Sequence, residues 1–286
     1  MINISLIVRQ ASFQDHQQIA SLLFHEANLH RHLDWRSPLD WLGSDRYWVL
    51  KDGNRILAVM ACPEDPPGVS WIRVFGHLPH LAGAEAWRIL WETAKGDMDL
   101  SSKLQVAAIA LKQWFQTILL DSGFAPRQSI LSLELRGEYL VQNFPLPSEM
   151  RIRPMLESDL PQVARLDLDA FGPFWHNTQD SLARARSQSV YASVVEDFSG
   201  PVGYQISTGN PFGAHLARLG VRKQAQNRGL GAALVCDLVR NLTPAHSSLL
   251  TVNTQSDNAA SLALYKKLGF IQTGDHFPVL IYPRDI

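Results

Sequence analysis

The chain has 286 residues, 46% of them apolar and 19% charged, with 26 basic against 27 acidic side chains and a formal net charge of -1. This is an ordinary globular composition, which excludes a disordered chain, a collagen-like repeat and a coiled coil. Near-neutral charge argues against a sequence-independent nucleic-acid surface, because phosphate binding needs a basic face, and favours a small-molecule or protein partner. The length exceeds what one hydrophobic core usually serves and predicts two domains.

The opening segment Met1 to Val8 has no basic stretch before its short apolar run, and no segment approaches the roughly 18 apolar residues of a membrane span. The only cysteines, Cys62 and Cys236, have neither a disulfide framework nor the spacing of a zinc site and read as small core residues in a reducing compartment. A soluble cytoplasmic protein without metal or membrane contact is expected.

In chain order, an opening strand leads through Ser12 and Asp15 into a helix. His25, His30 and His32 with Glu26 follow at spacings that place no ligand set on one helical face, so a solvated helix end is expected there. Tyr47 to Leu50 turns at Asp52-Gly53 into Ile56 to Ala61 as a hairpin. Ser70 to Phe75 reads as a strand feeding a helix, and Leu104 to Leu111 as the next strand before another helix and a closing strand pair.

The same plan then recurs. Val8-Arg9 through Asp15 matches Ile152-Arg153 through Asp159 at an offset of 144, and Ser122-Gly123-Phe124 matches Leu268-Gly269-Phe270 at an offset of 146. Two anchors so far apart that agree within two positions point to a tandem repeat. The second copy has a helix opening near Ser158-Asp159, a hairpin from Val190 to Ile206 turning at Ser199-Gly200, a strand from Ala214 to Val221 and another from Leu249 to Thr254. The order β-α-β-β-β-α-β-α-β is a mixed α/β (α+β mixed sheet) fold in each half. Pro145 and Pro147 mark Asn143 to Ser148 as a linker, which divides the chain into domains 1–148 and 149–286.

Leu219-Gly220-Val221 runs into the polar turn Arg222 to Gly229, and Leu230-Gly231-Ala232 opens a helix whose buried side carries Ala233, Leu234 and Leu238. Glycines at 229 and 231 let backbone approach a ligand, and the first helix amides carry the positive end of the macrodipole, so the turn reads as an anion cradle, most plausibly for a diphosphate. The spacing is neither a dinucleotide GxGxxG nor a P-loop; two glycines that merely cap a tightly packed helix are the structural alternative. Downstream, Ser256 or Asp257 is expected to cap a helix that Gly269 ends, with Leu262, Tyr265 and Leu268 at helical spacing. Tyr265 fits either a core aromatic or a phenol that protonates a leaving thiolate.

Gln226-x-x-Gly229-x-Gly231 after an apolar strand, then Asn258-x-x-Ser261-x-x-Leu264-Tyr265-x-Lys267-x-Gly269-Phe270, resembles the GNAT superfamily of acyl-CoA-dependent N-acyltransferases over roughly Arg151 to Tyr282. The resemblance implies a sheet whose fourth and fifth strands splay to admit the pantetheine of acetyl-CoA. It places the strand Leu219-Gly220-Val221 against that arm, Gln226, Asn227, Arg228, Gly229, Leu230, Gly231 and Ala232 around the pyrophosphate, Asn258 near the thioester, and Tyr265 as general acid. Ser261 stands where the family usually has alanine.

In the first copy Gln226, Gly229 and Gly231 fall on Pro79, Ala82 and Ala84, and Asn258 and Tyr265 on Lys112 and Leu119. Residues 1–148 therefore read as a degenerate GNAT-like domain without a cofactor site, and 149–286 as the catalytic one, similar in plan to the tandem arrangement of the mycothiol synthase family.

No residue stands out as general base. The strand 214–221 offers no glutamate, only His215 and Arg218; Glu196 and Asp197 lie at a hairpin end; His176 follows the aromatic run Phe171 to Trp175 in the family's acceptor loop. The expected reaction is acetyl transfer from acetyl-CoA to a primary amine of a small molecule or peptide, against the alternatives of an acyl-CoA-sensing module and a protein N-terminal acetyltransferase.

Overall fold

A computed structural model describes residues 6–98, 104–136, 144–210, 213–242 and 248–283. Met1 to Ser5 of the expected opening segment and Asn143 of the expected linker lie outside the described residues. No described helix is long and apolar enough to cross a membrane. Two compact units emerge: one holds residues 1–128 and 277–286, the other 129–276.

The first unit has strands β1 (Leu6–Gln10), β2 (Leu29–Arg31), β3 (Tyr47–Asp52), β4 (Arg55–Ala61), β5 (Val69–Trp71), β6 (Val74–His77) and β7 (Gln105–Ile109), and helices α1 (His16–Leu22), α2 (Gly83–Asp97) and α3 (Gln113–Asp121). Five strands form a sheet in the order β1-β3-β4-β6-β2. Its core is aromatic: Phe75, Trp87, Trp91, Phe115 and Phe124 pack together, with Trp87 stacked on Trp91 at 5.5 Å. The strand expected from Ser70 to Phe75 is broken into β5 and β6, because Ile72 N turns to Ala107 O while Arg73 N turns to Ala61 O.

The second unit contains β9 (Arg151–Pro154), α4 (Leu160–Trp175), α5 (Gln179–Ser187), β10 (Tyr191–Asp197), β11 (Gly200–Asn210), β12 (Gly213–Val221), α6 (Leu230–Asn241), β13 (Leu249–Gln255) and α7 (Ala259–Lys267). Consecutive strands β9 to β12 pair antiparallel, while β12 and β13 run parallel. Alternation along β13 buries Leu250, Val252 and Thr254 toward α6 and α7, in a core shared with Leu216, Val235, Leu238, Tyr265 and Phe270.

Both sequence anchors have a physical reason. Arg9 holds Asp15 with two bonds of 2.7 Å, and Arg153 holds Asp159 with bonds of 2.6 and 2.9 Å; in each pair the carboxylate also accepts the backbone N–H three residues earlier. Gly123 and Gly269 end α3 and α7 at φ of 87° and 89°, left-handed conformations that suit glycine, and return Phe124 and Phe270 to the core.

The closing strands depart from the repeat boundary drawn at residue 148. In β8 (Ala125–Arg136), Ile130 to Arg136 pair with β13 of the second unit; in β14 (Ile271–Ile281), Val279 to Ile281 pair with β7 of the first. Each unit thus takes its closing strand from the other copy of the repeat.

The solvated helix end expected around His25 to His32 is corrected. His30 lies on β2, is only 1% exposed, stacks on Phe115 at 4.1 Å and donates from Nε2 to Ile72 O. Leu29 beside it is buried as well, so apolar and aromatic neighbours outweigh the histidine's polarity. Burial lowers the His30 pKa to about 4, and burial beside Arg73 lowers that of His32.

Between pH 6.5 and about 4 the unfolded chain binds a proton at residue 30 that the folded unit refuses, so stability falls as pH falls through that window. This residue accounts for up to about 3 kcal/mol. Urea unfolding at pH 7 and pH 4.5 should show a smaller acid loss for His30→Gln than for the unmodified protein.

Candidate functional site

The site begins where a ladder stops. β12 pairs with β13 only from Ala214↔Leu250 to Leu216↔Val252, although both strands continue. Past that point β12 stays with β11 and β13 stays with β8, leaving a wedge with unpaired strand edges. A bulge helps open it: Ile206 faces Arg218 and Ser207 faces Leu216, so Ala217 is the extra residue.

A cavity of about 650 Å³ occupies this end of the second unit. Leu219, Gly220, Val221, Gln226, Asn227, Gly229, Leu230, Gly231, Ala232, Asn258 and Ser261, all expected at a cofactor site, line it. Arg228 does not; it is ion-paired with Glu149 at 2.6 Å.

The turn is built for close approach. Asn227 and Gly229 have φ of 61° and 80°, and a Cβ on Gly229 would meet nothing within 4 Å, so the position faces open space. A Cβ on Gly231 would sit 3.1 Å from Leu264, so this glycine lets α6 pack against α7. Gln226 Nε2 donates to Val221 O at 3.0 Å and ties the turn to the strand end. Ala233 N makes the first intrahelical bond, to Gly229 O, which leaves the amides of Leu230, Gly231 and Ala232 without helical acceptors. Lys223 and Lys267 also line the cavity and add positive charge to that dipole end. Free amides, open space over Gly229 and two lysines fit a diphosphate such as that of acetyl-CoA.

Asn258 itself caps α7, its Oδ1 accepting from Ser261 N at 3.1 Å, in place of the Ser256 or Asp257 cap expected from the sequence. Tyr265 is not brought to the cavity lining. Its ring is buried against Phe270 at 5.3 Å between centroids, and burial raises its pKa, holding the phenol neutral.

The opposite side of the sheet is braced by Asp167 of α4, which has no exposed surface. It accepts two bonds of 2.8 Å from Arg218, one of 2.5 Å from Asn177 N, and the Tyr204 hydroxyl. Arg218 also donates to Trp175 O at 2.7 Å and lies 3.5 Å from the Phe171 ring centre. Phe171 reaches the cavity just before α4 kinks at Gly172, whose φ is 73°.

Two carboxylates weighed as bases are occupied otherwise. Glu196 is held by Arg153 and Arg151, whose hydrogen bonds keep its pKa low, and Asp197 accepts from Ser199 at the hairpin end. His176 is half-buried, with Nδ1 3.0 Å from Pro173 O, and is not part of the cavity lining. Among the described residues no three His, Cys, Asp or Glu side chains are grouped to hold a metal ion.

Residues 160–279 match the family described as acetyltransferase (GNAT) domain. This segment is similar to GNAT acetyltransferase domains. Mycothiol acetyltransferase of Pseudarthrobacter chlorophenolicus is 25% identical over 168 residues, 52% of this chain and 51% of that protein, so the chain spans about half the length of this curated relative. A tandem GNAT protein from the clavulanic acid biosynthesis pathway matches over 99% of both chains at 15% identity and a TM-score of 0.64. A GCN5-related N-acetyltransferase from Sphaerobacter thermophilus matches 96% of this chain and 95% of its own at 15% identity and a TM-score of 0.59. The fold is therefore that of two tandem GNAT-like domains. Lys223 and Lys267 line the same cavity without being among the expected site residues. For the two lysines a signal existed, since both stand inside the motifs.

Removing one partner from a buried ion pair strands the other, at a cost of about 3–5 kcal/mol. Asp167→Ala should lower unfolding free energy by that order in a denaturant titration. Gly229→Glu, which places a carboxylate in the open space of the turn, should abolish acetyl-CoA binding by calorimetry while leaving the circular dichroism spectrum intact.

Proposed function

We propose that this protein transfers an acetyl group from acetyl-CoA to a primary amine of a small molecule or peptide, by direct attack of the amine on the thioester. The observation that carries this reading is the continuous cavity that joins the amides of Leu230 to Ala232 to the unpaired edge of β12 at Leu219 to Val221. The turn and helix start would hold the diphosphate, and Asn258 and the strand edge the arm. Acetyl-CoA supplies the activated acyl group; the protein's own part is to hold it, to position the amine and to move protons. Tyr265 is the proposed acid for the departing thiolate, since a phenol kept neutral by burial has a proton to give.

The N-terminal copy is proposed to carry no cofactor. Its helix α2 opens from Ala82 where α6 opens from Gly229, and His77 Nε2 lies 2.8 Å from where a Cβ on Gly83, the first residue of α2, would stand, so a side chain crowds that helix start. The likeness to mycothiol acetyltransferase supports a small amine as acceptor. A second reading, an acyl-CoA-sensing module, draws on the burial of Tyr265 among apolar side chains, because binding alone needs only the cradle.

Thiol release from acetyl-CoA, measured with glucosamine, spermidine, tryptamine and a peptide with a free N-terminus, tests the reaction. A positioned general acid contributes about 10²–10⁴-fold. Tyr265→Phe should lower kcat on this scale with little change in KM for acetyl-CoA. Unchanged kcat would make the ring a core aromatic and leave the proton to water.

A further inference from the structure

Both units part their sheets at the same step, and they treat the edge this creates differently. In the second, β12 leaves β13 after Leu216↔Val252 and stays with β11 through Gly203↔Val221. In the first, β5 keeps β7 from Val69↔Gln105 to Trp71↔Ala107; the chain then leaves it as β6, which stays with β4 through Ala58↔His77. Each hairpin before the parting strand carries its extra residue at the same place, Leu57 in one and Val202 in the other, so His77, Gly76 and Phe75 answer to Val221, Gly220 and Leu219. The two glycines face alike: a Cβ on Gly76 would meet Leu22 of α1 at 2.9 Å, and one on Gly220 would meet Leu166 of α4 at 3.4 Å.

At Leu219 to Val221 the edge that borders the wedge has no strand beside it among the described residues. At Val74 to Gly76 the corresponding edge carries β2, paired antiparallel as Arg31↔Val74, His30↔Phe75 and Leu29↔Gly76, with His32 N donating to Arg73 O at 2.9 Å. β2 thus lies inside the wedge of the first unit. Its middle side chain turns inward: the His30 ring stacks 4.1 Å from Phe115 of α3 and donates from Nε2 to Ile72 O at 3.2 Å, where the chain leaves β7. By the offset of 146 that relates the two Gly-Phe anchors, Phe115 answers to Ser261, which lines the cavity of the second unit.

The rest of the region is filled by the same unit's side chains. Leu29 Cδ1 lies 2.9 Å from where a Cβ on Gly76 would stand, and the His77 ring, which crowds the start of α2, meets Trp114 edge-on with 6.0 Å between centroids. One short strand and these rings occupy in the first unit the region that in the second is a cavity of about 650 Å³. Chemically the exchange is close. The arm of acetyl-CoA is an extended chain with two amide groups, and a β-strand offers a bordering edge the same N–H and C=O groups.

Resting on the reading that the second wedge receives the arm of acetyl-CoA, we propose that β2 is a built-in occupant of the first wedge: its backbone takes the place on β6 that such an arm takes on β12, and the His30 ring fills a pocket for a planar ring with an N–H donor between Phe115 and Ile72 O. The first unit is therefore held in one closed state by a ligand that is part of its own chain. It neither needs nor admits acyl-CoA, so its helix start is free to dispense with the glycine turn. Only the second unit changes its strand edge when the cofactor arrives.

Amide hydrogen exchange of the full-length protein, read by mass spectrometry with and without acetyl-CoA, tests the backbone half. Segments 29–32 and 74–77 should exchange slowly in the free protein and stay within about twofold on adding acetyl-CoA, while 219–221 should slow by about tenfold or more. Fast exchange at 74–77 in the free protein, or slowing there by acetyl-CoA, would overturn the proposal. Unaltered exchange at 219–221 beside a protected 74–77 would instead sink the acetyl-CoA reading of the second unit. The ring half is read in His30→Gly with imidazole as the probe. Imidazole should raise the melting temperature of the variant, or restore its circular dichroism spectrum if the variant is unfolded alone, and should leave the unmodified protein unchanged. No response of the variant, or an equal response of the unmodified protein, would overturn the ring as occupant of that pocket.

Discussion

Everything at the functional end of the second unit depends on two parallel strands that part company. β12 and β13 hold each other for three residue pairs, then each follows its antiparallel partner on the other side. Backbone groups on the inner edges lose their ladder at that point, and such groups are costly unless something else bonds them. A sheet of this kind is stable because the hydrogen bonds to β11 and β8 continue past the opening, so the wedge does not unzip the layer. The bulge at Ala217 fixes where the parting begins and adds local twist.

Opening a sheet from one side requires a brace on the other. Asp167 supplies it by collecting donors from β11, β12 and the chain after α4 on one carboxylate. A buried carboxylate without such partners would be a liability of several kcal/mol; with a bidentate arginine and two further donors its charge is compensated. The brace also sets Phe171 against the guanidinium of Arg218, so an aromatic wall of the cavity is held in place by the same network. Shape and electrostatics at this site are thus two results of one cluster.

The repeat, the glycine turn and the order of strands were legible because each rests on local chemistry. Arg9 with Asp15 and Arg153 with Asp159 repeat since the same ion pair starts the first helix of each unit. Gly229 is visible because only a residue tolerant of positive φ opens α6 from the left-handed region. What was not legible depended on long-range packing. Nothing in the spacing of His25, His30 and His32 shows that Phe115, eighty-odd residues away, will stack on one of them. The spacing of Tyr265 likewise leaves its direction open, since residues on neighbouring faces of α7 line the cavity while its ring joins the core. Strand identity was readable, strand ownership was not: alternation in β8 and β14 predicts strands but carries no information on which sheet receives them.

That exchange of closing strands bears on the order in which the protein can be made. Sequence position and folding unit are out of step, because residues 130–136 belong to the second sheet and residues 279–281 to the first. As the chain leaves the ribosome, β8 emerges early and must wait for β13, while β7 waits longer still, with one edge unpaired, for β14. An unpaired strand edge is a template for wrong partners, including the same edge on a neighbouring nascent chain. The copy that is synthesised first is therefore the copy completed last, and its maturation is tied to the synthesis of the other. A cut at the boundary the sequence suggests would separate each sheet from its own closing strand, so the two copies, though descended from one plan, are no longer two independent folding modules.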